Sequence, residues 1–353
     1  MDETTFRIMY TLAHNMGRQL SINALRAKID KEFPSAYYKN IYDKVQDLAG
    51  KGILKAEKIG KSRAITINFG YSGAIDWLTE LEIEKKRRIV GKRSEIGVLF
   101  ADMEIMGNDS RLIGSISVID PEKNMGLRRA ELLILMKDPR SREEYRQEAS
   151  NIFRLARDIE TRHNMRLDCL IIKTKSFLNV LASKEYNPIK PMLEGEVGIT
   201  YPQNYWMSIR EFFMKGMALD PASELSPTKM AGTDLEYNLT RFGYAEMGGK
   251  LKKGKDICLE SVIATTLIFG DARRVESIPV LLAKNKANYP LLVFLARKYG
   301  IEGKLLGLLK ALANIKEVTG VDYAINMLES AGVKELKTDG KSIRDRMRLY
   351  NAY

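Results

Sequence analysis

The apolar positions change period along the chain, and each change marks a part. In residues 3–15, Phe6, Met9, Tyr10 and Ala13 recur at i, i+3, i+4 and i+7, which predicts an amphipathic helix stopped by Gly17. Ser21 is placed to cap a second helix with Ile22, Leu25 and Ile29 on one side. Pro34 and Ser35 open a third, with Tyr37, Ile41, Val45 and Leu48 as its buried stripe and Gly50 or Gly52 at its end. The period then shortens to two: residues 53–59 and 64–69 read as strands joined by the basic turn Gly60-Lys61-Ser62-Arg63. A helix over 74–93 follows. It ends in Lys85-Lys86-Arg87-Arg88, Lys92 and Arg93, cations that suit a helix C-terminus or extend a phosphate-binding surface.

Residues 96–202 alternate strands with helices. Ile113-Gly114-Ser115 precedes a strand at Arg129–Leu135, a helix over 141–163, a strand at Arg166–Ile172, a helix at Ser176–Leu181 and the strand-like run Met192–Ile199. The remainder is mostly helical, with apolar helices at 259–269, 274–284, 291–299 and 304–315 punctuated by glycines, and a basic tail over 341–353. The expected architecture is an α+β multidomain chain: 1–72, a basic connector helix at 73–95, a mixed-sheet domain at 96–202 and a helical C-terminal domain at 203–353.

The composition narrows the function. Net charge is +12 over 353 residues, and residues 1–93 carry 18 Lys and Arg against 11 Asp and Glu, a surplus of seven. More than half the excess therefore lies in about a quarter of the chain, which favours a polyanionic partner. No apolar run is long enough to span a bilayer, so no membrane association is expected. Met1-Asp2-Glu3 is acidic with no apolar run after it, so no secretory signal is expected. The two cysteines, Cys169 and Cys258, read as buried thiols in a reducing, cytoplasmic setting, and with only His14 and His163 a zinc site is not expected.

Three short helices followed by a basic hairpin resemble a winged helix-turn-helix, and Leu48-Ala49-Gly50-Lys51-Gly52-Ile53-Leu54 is similar to that family's passage from recognition helix to wing. The resemblance implies binding to double-stranded DNA. A helix fits the major groove, and the third helix leaves Ser35, Lys39, Asn40, Asp43 and Lys44 off its buried stripe, with Tyr38 and Tyr42 flanking. Lys58, Lys61, Ser62 and Arg63 would touch the neighbouring backbone.

The middle segment resembles the small nucleotidyltransferases of the polymerase-beta superfamily, in which a Gly-Ser turn precedes a strand with two carboxylates and a later strand with a third. Matched residue by residue, Gly114 and Ser115 fall on the turn, Glu131 on the second carboxylate and Asp168 on the third. The first carboxylate position is Arg129. A guanidinium cannot coordinate magnesium, so the resemblance implies a degenerate domain without catalysis or resident cofactor, used for sensing a nucleotide ligand or as scaffold. The leading expectation is a DNA-binding transcriptional regulator, able to form a homodimer. Two alternatives compete: an active magnesium-dependent nucleotidyltransferase, with Asp109 or Asp120 in the vacant place, and an antitoxin-like protein-interaction module.

Overall fold

A computed structural model describes residues 1–33, 37–59, 62–124, 128–219, 226–245 and 253–353. The chain is α+β. In order, its elements are α1 (Glu3–Ala13), β1 (Leu20–Ser21), α2 (Ile22–Glu32), α3 (Tyr38–Gly50), β2 (Leu54–Ile59), β3 (Ser62–Ile67), α4 (Gly73–Lys92), α5 (Glu95–Asp109), β4 (Ile113–Ile119) and α6 (Pro121–Asn124). Then come β5 (Arg129–Met136), α7 (Arg142–His163), β6 (Arg166–Lys173), α8 (Thr174–Ala182), α9 (Ile189–Gly195), β7 (Glu196–Thr200) and α10 (Pro202–Met214). A 3-10 turn at Pro227–Lys229 leads to α11 (Gly232–Arg241), α12 (Leu259–Phe269), α13 (Ala272–Val275), α14 (Ile278–Lys284), α15 (Tyr289–Lys298), α16 (Glu302–Ala313), α17 (Val321–Ser330) and α18 (Gly340–Leu349). No described helix is long and apolar enough to cross a membrane.

Contacts divide the chain into two compact units, neither continuous in sequence. The first comprises Met1–Leu127, Thr174–Ala182 and Ile189–Ala222; the second comprises Arg128–Lys173, Ser183–Pro188 and Ser223–Tyr353. The segment 96–202, read from the sequence as one domain, is thus shared between both.

In the first unit α1, α2 and α3 pack on one another. Their buried stripes, among them Phe6, Met9, Leu25, Ile29, Val45 and Leu48, form a common core. Asp2 caps α1 by accepting from the Thr5 N–H at 2.9 Å, and Ser21 caps α2 as expected, accepting from Ala24 at 3.2 Å. The three-stranded sheet runs β1-β3-β2, antiparallel throughout, with Lys58 opposite Arg63. Tyr37, expected in the buried stripe, instead lies before α3 as its N-cap and is 71% exposed. In the same unit β4 pairs antiparallel with β7. Helices α5 and α10 pack on β4, and α4 and α5 on β7. Residues 192–199, expected as one strand, divide: α9 runs to Gly195 and only Glu196–Thr200 is extended.

In the second unit β5 and β6 pair in parallel, with Arg129 level with Arg166 and Glu131 level with Asp168. Helices α7 and α15 cover β6, and α16 packs on α17. The helix expected over 274–284 is two pieces, α13 and α14, with Pro279 in the first turn of the second.

Candidate functional site

Two places carry the expected chemistry. The first is the face of α3. Ile41, Val45 and Leu48 are its buried residues, which leaves Tyr38, Lys39, Asn40, Tyr42 and Asp43 exposed. Tyr38 and Tyr42 are one helical turn apart with ring centroids 6.1 Å apart and planes inclined by 26°, so two amphipathic rings form a ridge on this face. Lys44 is half-buried, its Nζ 3.1 Å from Asp2 Oδ2, so part of its charge is already spent on the α1 cap. On the hairpin Lys58 and Arg63 are exposed cross-strand partners. Like charges directly opposite each other repel unless an anion is near. Ser35 and Lys61 lie outside the described residues, as does the side chain of Ser62.

The basic end of α4 does not extend this surface as a free cationic strip. Lys85 is buried, 2.8 Å from Glu82. Lys86 pairs with Glu104, Arg87 lies 2.6 Å from Glu84, Arg88 binds Glu84 at 2.9 Å, and Lys92 lies 2.6 Å from Glu122. Most of that charge run is therefore compensated within the first unit.

Lys85 belongs to a buried polar network that the sequence did not suggest. The other Glu82 oxygen accepts from the Gly198 N–H at 2.8 Å, and Lys85 Nζ also donates to the Glu196 carbonyl at 3.1 Å. The Glu196 carboxyl completes no hydrogen bond, although the Ser117 and Tyr205 hydroxyls face it. Burial, reinforced by the nearby Glu82 charge, pushes its pKa well above the usual carboxylate range. One ammonium stands beside two carboxylates here, so the charged form of Glu196 is disfavoured.

The second place lies in the second unit, where the parallel register brings Arg129, Glu131, Arg166 and Asp168 to one face of β5 and β6. Asp168 is fully buried. Arg129 Nε donates to its Oδ2, Arg166 Nε lies 3.0 Å from its Oδ1, and Arg297 Nε stands 3.9 Å from the same oxygen. Glu131 binds Lys298 Nζ at 2.7 Å. Arg297 and Lys298 end α15, and their backbone carbonyls accept from Arg166 and Arg129 respectively, so two guanidinium groups satisfy a helix C-terminus. Arg166 also reaches Glu302 at 3.1 Å. Burial opposes its charge, but Asp168 and Glu302 more than offset that, and its pKa is raised. Arg297 in turn holds Glu160 at 2.8 Å.

This arrangement does not fit magnesium. Both Asp168 oxygens are engaged by guanidinium groups, Glu131 is engaged by an ammonium, and Arg129 adds a further cation beside them. Gly114 and Ser115 lie inside strand β4, in the other unit, where the Gly114 carbonyl accepts from Asn204 Nδ2 at 2.8 Å. Asp109 is exposed at the end of α5, and Asp120 is exposed with its N–H donated to the Gly195 carbonyl at 2.8 Å. Among the described residues no group of three or more His, Cys, Asp and Glu side chains is placed to hold a metal ion. Arg166 shares the two-residue spacing of Arg129 and Glu131, a signal open to a reader of the sequence; Glu160, Arg297, Lys298 and Glu302 carry no such signal. Cys169 and Cys258 are buried free thiols whose pKa burial raises, so neither is an activated nucleophile.

No family model matches this chain, and neither a curated protein nor a solved structure matches it.

Proposed function

We propose that this chain binds double-stranded DNA through α3 and the β2–β3 hairpin, as a winged helix-turn-helix would, and acts as a transcriptional regulator inside the cell. One observation carries the reading: α3 buries a single apolar stripe and turns Tyr38, Lys39, Asn40, Tyr42 and Asp43 to the surface. That side chain set suits a duplex. Asn reads adenine edges, Asp accepts from the cytosine amine, and Lys and Tyr reach phosphates. The order α1-β1-α2-α3-β2-β3, with β3 central in its sheet, supports the same reading. The Arg129–Asp168 cluster goes with a non-catalytic scaffold or sensor in the nucleotidyltransferase-like part, because its carboxylates are spent on cations.

The test is a fluorescence titration of the full chain against pooled duplex fragments at several salt concentrations. Selective binding is expected, and Lys39→Ala with Arg63→Ala lowers the slope of log K against log salt by about two. Salt-insensitive or unselective binding, or an unchanged slope in the double variant, overturns the reading.

A further inference from the structure

We propose that the first unit binds an aromatic monocarboxylate in a cleft of about 370 Å³, walled by the end of α1, the β2–β3 hairpin and the chain leaving α10. The site goes beyond the DNA-binding reading and does not depend on it.

The walls are tied to one another without a guest. Phe69 and Phe213 stack face to face, with ring centroids 4.7 Å apart and planes inclined by 8°. Arg210 Nε donates to the Phe69 carbonyl at 2.9 Å, which joins α10 to the end of the hairpin. Gly17 has a φ of +78°, and a Cβ there would stand 2.6 Å from the Leu219 carbonyl oxygen. The chain after α10 therefore closes on the turn after α1 because that position carries no side chain. A cleft with walls fixed in this way loses little freedom when it is filled.

The lining sets the body of the guest. Met16, Phe69 and Leu219 are buried, Phe213 and Met217 are half-buried, and Met214 is 57% exposed. Apolar surface thus runs from the depth of the cleft to its mouth. Three thioethers beside two rings favour an aromatic guest. Methionine sulfur makes favourable contacts with ring edges, and its unbranched chain adapts to the guest's outline. The Phe69–Phe213 pair offers another ring an offset or edge-on neighbour.

The hairpin wall sets the polar end. Arg18 is already paired with Glu194 at 3.3 Å. That leaves Lys55 as the cation of the lining with no carboxylate within ion-pair distance among the described residues. Lys55 is exposed, and Thr66, its cross-strand partner, adds a hydroxyl donor to the same wall. A carboxylate on the guest takes both. Glu57, two residues along and on the same side of β2, repels a second negative charge, so a monoanion fits better than a dianion.

The test titrates the full chain by calorimetry, without DNA, with 2-naphthoate and with the neutral 2-naphthamide. One saturable site is expected for each, with the acid bound about three- to fivefold more tightly at low salt. Lys55→Met removes the acid's advantage. Ala218→Trp and, from another wall, Gln19→Trp are exposed changes that fill the cleft, and each weakens both guests about tenfold or more. No saturable binding of either guest overturns the proposal, as does affinity unchanged by both filling variants. Equal affinity for acid and amide in the parent chain overturns the carboxylate assignment. Because the titration holds no DNA and alters no residue of α3, its failure leaves the DNA reading standing.

Discussion

Arg166 and Asp168 stand two residues apart on β6, and the guanidinium Nε meets the carboxylate Oδ1 at 3.0 Å. The neighbouring strand repeats the spacing with Arg129 and Glu131, and the parallel register sets the two pairs side by side. A single strand thereby supplies one ion pair, and two strands supply a lattice. Asp168 is the only member fully out of water. Asp168→Ala leaves three guanidinium groups crowded without their common counter-charge, and a loss of about 3–5 kcal/mol is expected. Arg129→Ala leaves Arg166 in place and costs less, about 1–3 kcal/mol. Urea unfolding measures both; equal costs for the two variants would mean that Asp168 is not the hub.

With magnesium and labelled nucleoside triphosphates, no transfer of label to RNA, protein or small molecules is expected. Arg129→Asp does not create the activity, because Glu131 stays with Lys298 and Asp168 with Arg166. Label transfer by the unaltered chain that disappears in Asp168→Ala would restore the enzymatic alternative.

Glu196→Gln stabilises the first unit at neutral and alkaline pH. The carboxyl's pKa is raised in the folded chain, so the folded state holds a proton that the unfolded state releases, and stability falls as pH rises above the ordinary carboxylate range. The amide has no proton to lose, and the slope flattens. Unfolding free energies at pH 5, 7 and 8.5 decide it: a variant whose deficit grows with pH contradicts a neutral Glu196.

His14 acts in the opposite direction. Burial, with Lys85 nearby, lowers its pKa to about 3, and its Nδ1 lies 2.8 Å from the Tyr10 carbonyl. The unfolded chain binds a proton near pH 6.5 that the folded chain refuses until about pH 3. Its contribution is therefore complete above pH 6.5 and is lost as pH falls through that window. His14→Asn, which keeps a donor for Tyr10, is expected to lose less stability than the parent between pH 7 and pH 4.5. Equal losses would show that His14 is not the titrating group.

The helices were legible wherever one apolar stripe faced one core. Ile41, Val45 and Leu48 on α3 and Tyr145, Ala149, Phe153 and Ala156 on α7 are buried as their spacing predicts. Tyr37 continues the stripe by spacing alone, but the backbone is already extended there, so helical periodicity no longer governs where its ring points. The fate of Lys85 was not legible. A run of four cations reads as a surface, and the partners that bury one of them include a carbonyl on β7, 111 residues away. The split of 192–199 into helix and strand was hidden for a similar reason, since short apolar runs do not distinguish the two. Arg129, Glu131 and Asp168 were legible as charged residues of apolar strands, but the pairing of Arg129 with Asp168 follows from the parallel register of β5 and β6. The contribution of α15 to that cluster depends on contacts that no local pattern records.

The first unit takes its last helix, α10, from beyond a stretch of chain that belongs to the other unit, and α10 packs on α4 and β4. A ribosome delivers these pieces in order. The three-helix and hairpin portion emerges early, while the apolar surfaces of α4 and β4 wait uncovered until residue 214 has left the exit tunnel. Nascent chains stalled before that point are the stage at which this protein is most open to chaperones, proteases and association with its own copies.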